Sequence, residues 1–302
     1  MKNKININPF KKIIIIFLLL LDIYMIYTKS NNLNEPCLKI YIMTHKDFIN
    51  YRYNKVYSIV ADDKSQLKNK YNLDIIFANN GKLYKMNRAY SEMSQLYYIY
   101  ELYRNGSNSS KYIGLNHYRR YFNFTDNIPD IDKIFEKHEI ILNSPNKVRG
   151  NMRLQFCRAH KCKKYDEIIE IIKEIKPEYY QTALEVSKKK KIHFCNLFIM
   201  KKQDFLNYCK FMFDILFEFD KRNNFTSDAD LMEYSKRLYK NGKAQLYQSR
   251  LEAFLSERIG NIYYFHHFKH FQIFDYGNFK GLNRNITLNQ ADNNSKIIKS
   301  EK

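Results

Sequence analysis

Short apolar runs of strand length punctuate the chain at 38–43, 73–77, 112–115, 139–142 and 194–200. Helical patterns lie between them. Residues 89–104 carry Met93, Leu96, Tyr97 and Tyr100 at i, i+3, i+4 and i+7, with Gly106 placed to cap the end. Residues 165–176 repeat Ile168, Ile171, Ile172 and Ile175 with charges opposite, and stop before Pro177. A longer amphipathic helix is predicted over 203–221 through Phe205, Cys209, Met212, Phe213 and Leu216, and another over 249–259, ended by Gly260. Strands alternating with helices predict an α/β layered fold, a mostly parallel sheet flanked by helices. No internal repeat interrupts that reading.

The N-terminus follows a different pattern. Residues 13–21 read IIIIFLLLL, Asp22 interrupts, and apolar character resumes to Tyr27, with Lys2, Lys4, Lys11 and Lys12 ahead of the run. The expectation is a cytosolic basic tail over 1–12, an uncleaved transmembrane signal anchor over 13–29 and a polar stem over 30–37. A cleaved signal peptide is the rival reading, but it wants small residues at the cut, where this chain has Tyr27-Thr28-Lys29-Ser30. The body, 38–276, would then lie across the membrane: in the Golgi or ER lumen of a eukaryote, otherwise in the cell envelope. Sequons at Asn105, Asn108, Asn123, Asn224, Asn285 and Asn293 suit a lumenal glycoprotein. The Asn- and Lys-rich stretch 277–302 reads as a disordered tail.

Composition adds less than its extremes suggest. The 302 residues carry a net charge of +20, which points to an anionic partner. The same chain is rich in Lys, Asn, Ile and Tyr and has no Trp, a bias that inflates lysine whatever the function. Its basic residues are scattered rather than gathered into a recognition motif, which argues against a nucleic-acid partner. Arginine placement therefore says more than lysine count. Of the five cysteines, Cys157 and Cys162 are close enough for a local disulfide or part of a metal site. A structural zinc site usually needs four ligands, and only one such cluster exists.

In open α/β sheets, ligands bind at the carboxyl ends of the strands. After the first apolar run come Thr44, His45 and Lys46; after the second, Asn79, Asn80 and Gly81; after the third, Asn116, His117, Tyr118, Arg119 and Arg120; and Asn196 sits inside the last. Cationic and amide groups collected on one edge suit an anionic, hydroxyl-rich ligand, because guanidinium grips phosphate by a planar fork. Taken singly, each of these residues has an ordinary structural use: a solvated loop arginine, a satisfied histidine, an amide holding a turn.

The segments IYIMTHKDF (40–48), NRAYSEMSQLYYIYEL (87–102), IGLNHYRRYF (113–122), CNLFIMKKQDFLNYCKFMFDIL (195–216) and SRLEAFLSERI (249–259), with the Asn-Gly turn at 80–81, resemble a bacterial family of glycosyltransferase-like proteins. That family occurs in capsular and exopolysaccharide synthesis loci and has long been labelled a domain of unknown function. The resemblance runs from about Leu38 to His267. It implies a GT-A-like Rossmann-type core and a glycosyltransferase moving a sugar from a nucleotide-sugar donor to a glycan or polysaccharide acceptor. It places Thr44, His45, Glu92, Arg119, Arg120 and Asn196 around the donor. Arg250, Glu252 and Glu257 belong to the late helix closing the site, and His117, Glu252 and Glu257 are the catalytic candidates, with Glu92 a further candidate base. His117, Arg119 and Arg120 stand where many such enzymes carry an Asp-x-Asp metal motif. Asp228-Ala229-Asp230 has that spelling but opens a helical pattern, where acidic residues serve the N-terminus. No metal or other cofactor is therefore expected to be required, and the leaving-group charge falls to the arginines. The alternative is a membrane-tethered glycan- or phosphate-binding protein that has lost catalysis.

Overall fold

The computed structural model describes residues 36–50, 52–64, 67–124 and 127–278. The expected anchor over 13–29 and nearly all of the tail lie outside them. No helix among the described residues is long and apolar enough to cross a membrane.

The strands are β1 (Leu38–Thr44), β2 (Tyr57–Ala61), β3 (Asp74–Phe77), β4 (Tyr112–His117), β5 (Arg120–Phe122), β6 (Ile140–Asn143), β7 (Asn146–Lys147), β8 (Lys191–Ile192), β9 (Phe198–Lys201), β10 (Phe271–Phe274) and β11 (Tyr276–Asn278). The main sheet runs in the order β10-β6-β9-β4-β1-β2-β3, with β5 and β11 attached beside β4. β3, β2, β1 and β4 are mutually parallel, and β9 is antiparallel to both of its neighbours. The mostly parallel sheet is thus as expected. Its central strands are apolar on both sides because both sides are covered. Tyr41 and Met43 join one buried cluster, Ile40 and Ile42 the other, as the two-residue period of a strand requires. Gly114 in β4 pairs with Ile40 of β1 and Ile199 of β9; a Cβ there would lie 2.9 Å from the first side chain and 3.0 Å from the second. The two isoleucines close over the glycine, and any larger residue would force them apart.

The helices are α1 (Asn87–Tyr90), α2 (Glu92–Arg104), α3 (Ile131–Lys137), α4 (Met152–Ala159), α5 (Cys162–Ile175), α6 (Tyr180–Ser187), α7 (Lys202–Asn223), α8 (Asp228–Leu238), α9 (Gly242–Gln248) and α10 (Leu251–His267). α2, α5, α7 and α10 pack on the Tyr41/Met43 side of the sheet. Gly106, at φ 76°, ends α2 as the sequence suggests: its N–H donates to Tyr103 O, and that of Ser107 to Leu102 O.

Several expectations need correction. The strand β2 was not among the apolar runs read from the pattern. Of the 194–200 run only residues 198–200 are strand, in β9, which runs on to Lys201; the residues before it turn the chain. Gly260 does not end the late helix. It lies inside α10, where an added Cβ would sit 3.3 Å from the hydroxyls of Tyr208 and Tyr264, so its smallness serves helix packing. Consequently His266 and His267 form the last turn of α10, bonded to Thr182 and Tyr179. β11 also carries paired backbone to Asn278, past the expected boundary at 276. Backbone pairing needs no apolar pattern to announce it.

Candidate active site

The parallel register sets one edge of the sheet. Met43 lies opposite His117 and Thr44 opposite Ala61, so β1, β2 and β4 end side by side. A cleft of about 1080 Å³ opens there. Thr44, His45, Glu92, His117, Arg119, Arg120, Arg250 and Glu257 all line it. Most of the residues singled out from the sequence therefore meet in one place.

The floor is a connected set of buried groups. Ser91, at φ 51°, breaks the chain between α1 and α2, so that Glu92 starts α2 facing the cleft. His117 Nε2 donates to Cys195 O at 2.8 Å and lies 3.7 Å from Glu92 Oε1. A carbonyl only accepts, so the proton sits on Nε2. Burial pushes the imidazole below its ordinary pKa despite the nearby carboxylate, and the ring is neutral at pH 7. Cys195 N donates to Glu257 Oε1 at 2.9 Å, and Arg120 Nη1 donates to Cys195 Sγ at 2.8 Å. Three site side chains thus hold one residue by its N–H, its carbonyl and its sulfur. Burial, reinforced by Glu257, pushes the Cys195 thiol up to about 12, so it stays protonated. Cys195 and Asn196 have φ of 74° and 48°, a costly pair of left-handed residues, roughly 1–3 kcal/mol each. The clamp is what holds them there.

Asn196 lies beneath this floor rather than on its surface. Its Nδ2 is 3.3 Å from Glu92 Oε1 and 3.3 Å from Ser256 Oγ, so it steadies Glu92 and does not reach the cleft. Glu252 is the clearest misplacement among the sequence candidates. It is fully buried, off the cleft, beside Asp220, whose Oδ2 accepts from Tyr90 at 2.5 Å. Glu252 lies five residues from Glu257 in α10, about 140° around the helix, so both cannot face the same cleft. Glu257 has both oxygens engaged, Oε2 accepting from the buried Arg258 at 2.9 Å.

The rim is freer. Arg88, Arg119 and Arg250 have no ion-pair partner among the described residues. Arg119 is exposed, 5.6 Å over the Tyr118 ring, and Arg250 Nε donates to Ser91 Oγ at 2.9 Å. His45 stands beside Tyr118 at the mouth, its pKa lowered by lost solvation and then by Lys46, Arg119 and Arg250. Thr44 turns the loop: its hydroxyl donates to Lys46 O at 2.5 Å. The β4 end therefore presents cations and a histidine, a poor donor set for a divalent metal. Asp228 accepts from the N–H groups of Arg88 and Ala89, and Asp230 completes a capping box with Ser227, so both serve helix starts. No group of three or more potential ligands with metal-site geometry occurs among the described residues. Cys157 and Cys162 are disulfide-bonded.

Asp62 was missed by the sequence reading. It is buried at the end of β2 and its Oδ1 accepts from Gln95 Nε2 at 2.6 Å, while the same nitrogen donates to Thr44 O at 2.7 Å. The signal was present: YSIVA at 57–61 is a strand-length apolar run followed directly by Asp. Arg258, Gln155, Phe194, Tyr247 and Phe254 were also missed, because no strand end announces them.

The chain belongs to the family described as "Domain of unknown function (DUF4422)", which matches residues 39–268. Its fold is also similar to that of a solved protein titled "WbbM bifunctional glycosytransferase apo structure", at a TM-score of 0.60 and 18% identity. That likeness covers 81% of this chain and 45% of the other, so this chain spans less than half of its structural relative. A comparison with curated proteins finds no match.

Proposed function

We propose that this chain is a glycosyltransferase that moves a sugar from a nucleotide-sugar donor to a glycan acceptor. The observation that carries the reading is one cleft at the ends of β1, β2 and β4, with rim guanidiniums that have no ion-pair partner among the described residues and a Glu92–His117 pair on its floor. The fold likeness to a glycosyltransferase supports it by analogy only.

Arg119 and Arg250 grip the donor diphosphate and, with Arg120, stabilise the charge that develops as the bond from sugar to phosphate breaks. Glu92 is the carboxylate best suited as base. Its Oε1 is steadied by Asn196, whereas Oε2 has no partner among the described residues. The acceptor hydroxyl gives its proton to Glu92 as its oxygen bonds to the anomeric carbon. Arginine takes the charge-stabilising role that a metal holds in other transferases. The basic-flanked apolar run at 13–27 supports membrane tethering, and the resemblance to capsule-locus proteins supports a polysaccharide acceptor.

The test is thermal unfolding of the purified full-length chain with UDP-, GDP-, dTDP- and CMP-sugars, each with Mn²⁺ or EDTA. One nucleotide class should raise the melting temperature in both conditions, since a ligand bound only to the native state stabilises it. A shift that needs Mn²⁺ would overturn the arginine role; no shift with any donor would sink the transferase reading.

A further inference from the structure

The cleft has a second wall with different chemistry. His160, Tyr247 and Phe254 form a ring cluster, with centroids 4.3 Å apart for His160 and Phe254, 4.7 Å for Tyr247 and Phe254, and 5.9 Å for His160 and Tyr247. Tyr247 keeps 48% of its surface exposed, while the other two rings are largely covered. The cluster is fixed from behind. Gln248 accepts from His160 Nδ1 at 2.8 Å and donates to Ala159 O at 2.7 Å, and the Cys157–Cys162 disulfide brackets that segment. The wall is uncharged at neutral pH, because burial pushes His160 down to about 4. The buried Arg258 behind it is neutralised by Glu257. Gln155 lines the same cleft; its Oε1 is occupied by Arg258 Nη2 at 2.5 Å, while its Nε2 has no partner among the described residues. An orienting contact thus leaves an amide donor free in the cleft that also holds the exposed face of Tyr247.

We infer that Tyr247 and Phe254, with Gln155, form a subsite for a neutral pyranose ring of the acceptor. One face of a pyranose is a patch of C–H groups that packs on an aromatic ring, and its hydroxyl oxygens accept from amides. A phosphorylated or uronic acid ring would instead seek guanidinium, which Tyr247 and Gln155 do not offer. Arg250, 5.6 Å over Phe254, marks where the neutral wall meets the cationic rim. The inference deepens the transferase reading and rests on it for the word acceptor, but the subsite itself stands on this geometry.

The experiment is titration of the full-length chain by ligand-observed NMR with methyl glucoside, methyl galactoside, methyl mannoside and a glucose trisaccharide, and with glucuronic acid as the charged control. A nucleotide thermal shift runs in parallel on each variant. At least one neutral pyranoside should bind, weaken fivefold or more in Tyr247→Ala, and keep its affinity in Tyr247→Phe; the nucleotide shift should be unchanged in both. Tyr247 is exposed, so neither variant should disturb folding. Equal binding by wild type and Tyr247→Ala overturns the subsite. So does preference for glucuronic acid, or binding of nucleotide but of no neutral sugar. Neutral-sugar binding that depends on Tyr247 without any nucleotide shift keeps the subsite and defeats the transferase reading.

Discussion

The floor and the rim of the cleft are built on opposite principles. On the floor, Glu257, Arg258, Cys195 and His117 are buried or nearly so and mutually engaged. On the rim, Arg119 and Arg250 have no acidic partner among the described residues, and on the wall beside it Tyr247 keeps about half of its surface exposed. The difference separates holding from recognising. Buried polar groups must be paired, so they fix geometry but have little left to offer a ligand. Rim groups pay nothing for lacking a partner in water and meet one when substrate arrives. Floor variants should therefore lower stability, and rim variants should lower affinity alone.

The largest expected effect is at the floor. Glu257→Ala leaves Arg258 as a buried charge without its partner and frees the N–H of Cys195; breaking such a pair costs about 3–5 kcal/mol. Urea unfolding should show that loss, and a wild-type midpoint would break the distinction between floor and rim. Next is the buried pair beneath the floor. Burial pushes Asp220 up to about 7 and raises Glu252 well above its ordinary value. Between about pH 4 and 7 the folded chain holds a proton on Asp220 that the unfolded chain has released, so this pair makes stability fall as pH rises. Asp220→Asn keeps an acceptor for Tyr90 and should make that fall shallower, by at most ~4 kcal/mol across the window. Parallel pH profiles for variant and wild type would refute the proton held on Asp220. The smallest effect in free energy is at the rim. Arg119→Lys keeps the charge but loses the fork, and should weaken donor binding about tenfold, or ~1.4 kcal/mol, with unfolding unchanged. Calorimetric titration with the stabilising nucleotide measures it, and undiminished affinity removes Arg119 from the donor site.

How much of this was legible in the sequence depends on how local each signal is. Thr44, His45, His117, Arg119 and Arg120 were legible because a strand ends where its apolar run ends, and parallel strands end together. Glu257 and Arg250 shared a legible signal too: they lie seven residues apart, two helical turns on one face, a spacing that excludes Glu252. Asp62 was missed only because its five-residue strand was passed over.

By itself, then, the sequence determined the alternation of strands and helices, the polar groups at the strand ends and the family. These follow from periodicity and residue type within a few neighbours. Only the tertiary structure decided that Asn196 holds Glu92 from below, that Cys195 is clamped by three separate elements, and that Tyr247 joins the cleft at all. Those pairings span tens of residues and are set by how α2, β4 and α10 pack. No local pattern encodes which of two buried neighbours a side chain will meet.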